Sequence, residues 1–243
     1  MDDRYIYIGF MKGNIKILNR WTRECIKNID WPDFLPSEHL NCLQLSERHL
    51  ATKSNNGTIV IYDLATFEQT QILHSNSEPR SIRGRFCITS DILVNLKVLD
   101  NDTSAVLSVR KFNHETGLYG TSEMARAEFD WSLFGLYQNI YCWKKYIIVD
   151  SSYLADDSKL FERRVIVIDM KSLKQVRKIT FTEPSNICIK RECHDGIIVS
   201  FEGNCRVTWN VEKNIVQPIT QHSSFPTSVG RVYLARMDHH SDY

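Results

Sequence analysis

The sequence predicts an all-β chain built from about five copies of a four-stranded antiparallel unit. Three observations carry that expectation. Short runs rich in Val, Ile, Tyr, Phe and Thr recur along the chain, each with the two-residue alternation of a strand. Polar breaks with turn chemistry, such as Asn56-Gly57, separate them. The two ends are incomplete in complementary ways, three strands at one and a single strand at the other.

Taken in order, the N-terminus offers RYIYIGF (4–10), NIKILN (14–19) and ECIKNI (24–29). The clearest full unit follows: LNCLQL (40–45), HLATKS (49–54), the turn at Asn56-Gly57, TIVIYDL (58–64) and QTQIL (69–73). A weaker copy covers 81–129, with SIRGRF, ILVNLKV, a turn at DNDT, AVLSVRKF, and a long fourth segment beyond NHETG. The same grammar returns over 140–181 as IYCW, YIIVD, RRVIVIDM and QVRKITF, and over 185–219 as SNICIK, GIIVSF, CRVTWNV and IVQPI. VGRVYLA (229–235) is the lone C-terminal strand.

A four-stranded sheet of about 40 residues cannot bury both of its faces alone, so the copies must pack face to face around an axis, as a β-propeller. If the C-terminal strand joins the first three, it completes the N-terminal blade and leaves no raw edge. Residues 1–243 are expected to form one domain, a length that all-β architectures reach undivided.

At this point the chain resembles the WD-repeat family, over residues 4–235. A blade of that family carries Gly-His before its first strand, Ser or Thr in its second, Asp in the next turn and Trp-Asp ending its third. The second unit keeps Ser54, Gly57-Thr58 and Asp63, with Asn56 for the turn Asp and Tyr62 for the Trp. His39 or His74 stands in for the histidine, and Leu18-Asn19, Phe112-Asn113, Ile168-Asp169 and Trp209-Asn210 hold the dipeptide position elsewhere. The length fits five long-looped blades or a piece of a larger ring. The resemblance implies a non-catalytic scaffold that presents loops of one face to partner proteins. The alternative it implies is the substrate-recognition propeller of a ubiquitin ligase, although no F-box-like helical stretch precedes the strands.

Composition narrows the classes. Lys and Arg number 30 against 29 Asp and Glu, so no global charge draws the chain to nucleic acid or an anionic membrane. Its longest apolar runs fall far short of the roughly 20 residues that span a bilayer. The start, MDDRYIYIGF, is acidic where an export signal is basic, so a cytoplasmic or nuclear location is expected. Seven scattered cysteines read as small buried hydrophobes in a reducing compartment.

Chemistry has little to stand on. Cys188, Cys193, His194 and Asp195 make one loose pair where structural zinc needs two, and His239-His240 reads as a solvated terminus. Neither a nucleophile elbow nor a phosphate-cradling or dinucleotide motif occurs. The expectation is therefore no enzyme, no cofactor and no metal, with a propeller hydrolase as the least favoured class.

Loops are then the default functional surface. Residues 30–39 carry Trp31 and Phe34, which serve either as binding anchors or as plugs between blades. Residues 150–164, with Tyr153 and Arg163, read as a long connection that is either functional or disordered. Residues 128–138 read as a short helix or an extra strand. Arg80 and Arg83 are placed to meet an acidic or phosphorylated peptide at the channel mouth. Lys171, Lys174, Arg177 and Lys178 read as a solvated, self-protecting edge. The expected partners are proteins or peptides, bound by a monomer within a larger complex.

Overall fold

In the computed structural model, the described residues are 4–10, 13–30, 39–74, 85–98, 104–121, 123–130, 137–154, 161–181, 187–193, 196–201, 206–210, 213, 215–218 and 232–235. Every regular element among them is a strand. β1 (Tyr5–Phe10), β2 (Ile15–Asn19) and β3 (Cys25–Ile29) form a meander, and β4 (Leu40–Leu45), β5 (His49–Ser54), β6 (Ile59–Asp63) and β7 (Gln69–Leu73) form a second sheet. The third sheet holds β8 (Phe86–Ile88), β9 (Ile92–Val98), β10 (Ser104–Asn113) and β11 (Leu118–Tyr119), with β12 (Ala125–Asp130) also on β10. β13 (Tyr137–Trp143), β14 (Tyr146–Leu154), β15 (Phe161–Asp169) and β16 (Gln175–Phe181) make the fourth. The fifth is β17 (Ile187–Cys193), β18 (Gly196–Phe201), β19 (Arg206–Asn210) and β20 (Ile215–Pro218).

β21 (Val232–Ala235) lies beside β1, so the C-terminal strand does join the N-terminal meander. Its direction differs from the expected antiparallel one: Tyr7 stands opposite Val232 and Phe10 opposite Ala235, a parallel ladder. The N–H and C=O groups along an edge are satisfied by either direction, and no tight turn ties β21 to β1 to impose one. In the third sheet the described part of the first run enters a strand at Phe86, and residues 81–84 lie outside the described residues. Of the stretch 128–138, residues 128–130 end β12 and 137–138 open β13, both strands, and 131–136 lie outside the described residues.

One turn recurs in all five sheets. The third strand ends on Asn or Asp, whose side chain caps the turn into the fourth strand. Asn19 Oδ1 accepts from the N–H groups of Trp21 and Thr22, and Asp63 Oδ1 from Ala65 and Thr66. Asn113 does the same for Glu115 and Thr116, and Asp169 for Lys171 and Ser172. Asn210 accepts from Lys213 at 2.9 Å. Four residues after the first four of these caps the backbone turns left-handed, at Arg23 (φ 63), Phe67 (φ 57), Gly117 (φ 70) and Leu173 (φ 51). Each of those N–H groups returns to the carbonyl of the capping residue.

A bulge follows in three of the sheets. Between Ile17 and Leu18, Ile61 and Tyr62, and Val167 and Ile168, the register slips by one residue on the fourth strand. The extra residue is Ile26, Thr70 or Val176, and the slip explains why Ile26 and Val176 stand 48% and 39% exposed. Bulged outer strands resist pairing with foreign strands, and along the edge formed by β16 and the turn before it Lys171, Lys174, Arg177 and Lys178 are all exposed.

The chain divides into two compact units. The first takes its strands from Met1–Asp102, Ser108–Met124 and Thr227–Tyr243. In it, Tyr7, Ile15, Ile17 and Ile29 of the first sheet interleave with Leu40, Leu43, Leu50, Val60 and Tyr62 of the second. Close approach needs Gly9, because a β-carbon there would stand 2.5 Å from Leu40 Cδ2. The opposite face of the second sheet packs on the third through Cys42, Ala51, Ile59 and Ile61 against Phe86, Leu93, Phe112 and Tyr119. The second unit takes Thr103–Leu107 and Ala125–Pro226, and one cluster of its core is Trp143, Ile148, Val165 and Val167 of the fourth sheet. Among the described cysteines Cys42 and Cys87 are buried as expected and Cys142 is half-buried, whereas Cys25 is exposed because β3 is an outer strand.

Candidate functional site

The seam between the second and third sheets is polar at both of its ends. Strand alternation sends Leu50, Thr52 and Ser54 to one face of β5 and His49, Ala51 and Lys53 to the other, toward β8–β11. Lys53 is 1% exposed, and its Nζ donates to Asn95 Oδ1 at 2.7 Å and to the Leu96 carbonyl at 3.2 Å. Burial pulls its pKa from 10.5 to about 8. Burial also pushes the Cys42 thiol up, against the opposing fields of Lys53 and Arg85.

His49 marks the other end. A turn closed by Ser46, whose hydroxyl accepts the His49 N–H at 3.0 Å, starts β5 there. His49 is 5% exposed, and its imidazole packs on the rings of Phe112 (5.2 Å) and Tyr119 (5.6 Å). Tyr119 O–H donates to the Thr89 carbonyl at 2.5 Å, so its oxygen can only accept from His49 Nδ1, 3.4 Å away. The network therefore assigns the proton to Nδ1 and leaves Nε2 an acceptor. Tyr119 is further fixed by Gln71, which donates to its carbonyl at 2.7 Å and accepts its N–H at 2.9 Å.

Beside His49 opens a cleft of about 700 Å³. Its walls are the first-to-second-strand turn of one sheet (Glu47, Arg48) and the third-to-fourth-strand turns of both (Asp63, Leu64; His114, Leu118). Phe112 also lines it, with the ring of His114 edge-on at 5.1 Å. His114 Nε2 in turn lies 3.4 Å from Asp91 Oδ1 at the exposed rim. Asp63 Oδ1 is committed to its own turn.

The residues singled out from the sequence lie elsewhere. Trp31, Phe34, Arg80 and Arg83 fall outside the described residues. Tyr153 and Arg163 do not stand on a long loop. The β14–β15 ladder runs out to Leu154 opposite Phe161, placing Tyr153 opposite Glu162 and Arg163 opposite Ser152. Strand-forming residues on both arms extend the hairpin and reduce the connection to residues 155–160. The cleft residues themselves were not anticipated. The available signal was His49, a histidine opening a strand otherwise composed for burial.

Comparison with protein families and with curated proteins gives no match to the sequence.

Proposed function

We propose that the chain is a WD-repeat-like β-propeller acting as a non-catalytic scaffold for protein partners. The observation that carries this reading is the capped third-to-fourth-strand turn, repeated at Asn19, Asp63, Asn113, Asp169 and Asn210. Those positions are the dipeptide positions through which the sequence resembles the family, and the pairing of β21 with β1 is what a closing strand requires. Repeated sheets of this kind supply a stiff frame, and the work of recognition falls to what lies on their ends: the connections, and the cleft beside His49.

Proximity labelling in cells tests the proposal. The intact chain is expected to label a reproducible set of proteins, and exchanging residues 155–160 for a short Gly-Ser turn, or substituting the cleft, is expected to remove members of that set. Labelling no different from an inert control ends the scaffold reading. Stoichiometric recovery of a ubiquitin-ligase adaptor replaces it with the substrate-receptor reading.

A further inference from the structure

We infer that the cleft beside His49 is a receptor for a cationic side chain, lysine or arginine, of a partner protein. The inference deepens the scaffold reading and rests on it for the source of that side chain. Three acceptor-bearing residues, Glu47, His49 and Asp63, line the cleft. His49 is a buried residue, 5% exposed, and its Nε2 has no partner among the described residues because the tautomer fixed by Tyr119 spends the ring's only proton on Nδ1. Burial, the largest influence, holds the His49 pKa below its ordinary value, so the ring stays neutral and accepting at neutral pH. The Glu47 carboxylate makes no hydrogen bond or ion pair among the described residues. Asp63 lines the cleft too, and its turn uses Oδ1, not Oδ2.

Lysine and arginine side chains are donor-only and charged, with an aliphatic stem. Leu64, Phe112 and Leu118 offer that stem an apolar wall. Arg48 offsets one of the two lining carboxylates, and the balance stays negative because Asp91 stands behind His114 at the rim. An acidic side chain would meet the Glu47 and Asp63 carboxylates, and a purely apolar one would leave the acceptors without a partner.

The test uses the isolated chain, isotope-labelled for NMR, with blocked amino acids as probes: the Nα-acetyl methylamides of arginine, lysine, norleucine and glutamate. Arginine and lysine are expected to shift the ring resonances of His49 and Phe112 saturably, with norleucine and glutamate about fivefold weaker or worse, the upper range for a partly exposed ion pair. Glu47→Gln with Asp63→Asn is expected to erase that preference while leaving the fold intact, because asparagine caps the same turn at Asn19 and Asn113. Norleucine binding as well as arginine, glutamate binding better, or no saturable shift overturns the inference. None of this needs a partner. Failure of the probes with labelled partners retained sinks the cleft assignment alone, and saturable probes with no labelled partners sink the scaffold reading alone.

Discussion

The second sheet has two faces, and the seams they make with their neighbours differ in kind. Toward β1–β3 the seam is dry: Leu40, Leu43, Leu50 and Val60 meet Tyr7, Ile15, Ile17 and Ile29, and Phe67 reaches from its turn to Tyr5 at 5.7 Å. Toward β8–β11 the apolar layer is bracketed by Lys53 with Asn95 at one end and His49 with Tyr119 and Thr89 at the other. Both sets come from adjacent residues of β5, so the same strand is specified by volume on one side and by directed hydrogen bonds on the other. The cleft beside His49 opens at one end of the hydrogen-bonded seam. A sheet pair held at its ends by polar clamps need not close by hydrophobic contact along its whole length.

The largest difference is expected from Leu50→Ala in the dry seam. Leu50 is wholly buried, and truncation should cost about 2–5 kcal/mol through lost transfer energy and the cavity left behind. Urea unfolding should show that loss undiminished from pH 6 to pH 9, since nothing titratable depends on it. A loss below about 1 kcal/mol would mean the seam collapses readily and is not the packed side of the comparison.

Next in size is the pH response of the wet seam. With the Lys53 pKa near 8 in the folded chain and 10.5 in the unfolded one, both states hold the proton below pH 8, and the burial penalty is then fully present. Between pH 8 and 10.5 the unfolded state binds a proton that the folded state does not, so stability rises with pH, by up to about 3 kcal/mol at 1.36 kcal/mol per unit. Lys53→Met should abolish that rise, and the wild-type minus variant difference in urea midpoints isolates it from other groups. A difference independent of pH would place the Lys53 amine in contact with water.

Smaller again is Tyr119→Phe. The substitution keeps the ring packed between Phe112 and His49 while leaving the Thr89 carbonyl and the His49 Nδ1–H without their partner. A cost of about 1–2 kcal/mol is expected in urea melts. Exchange of the His49 tautomer populations, read from its ring nitrogen shifts, should accompany it, and a variant of wild-type stability with an unchanged tautomer would remove the clamp from the account.

How much of this was legible beforehand follows the same division. Strand runs and the Asn or Asp ending each third strand could be read directly, because alternation and turn chemistry are local. The complementary ends also pointed to β21 lying on β1, but its direction depends on an edge contact between residues more than two hundred apart. Residues 150–164 read as a loop because charged and polar residues interrupt the apolar pattern, yet the ladder nucleated by YIIVD and RVIVID continues to Leu154 opposite Phe161. The cleft was illegible for a different reason. It joins turns centred near residues 47, 64 and 115, and only the packing of two sheets brings those turns together.

The smallest expected effect decides whether the dry seam is dry. Tyr62 precedes the capping Asp63, its hydroxyl is buried with no hydrogen-bond partner among the described residues, and burial pushes its pKa up to about 12. Tyr62→Phe removes an unsatisfied donor and acceptor without changing the ring, so stability should stay level or rise by about 1 kcal/mol, the opposite sign to Tyr119→Phe. The pH dependence carries a second signature. Above pH 10 the unfolded tyrosine releases a proton that the folded one keeps, so the wild type loses stability there and Tyr62→Phe should lose less. If Tyr62→Phe instead costs as much as Tyr119→Phe, a water bridges the Tyr62 hydroxyl, and the two seams differ in degree only.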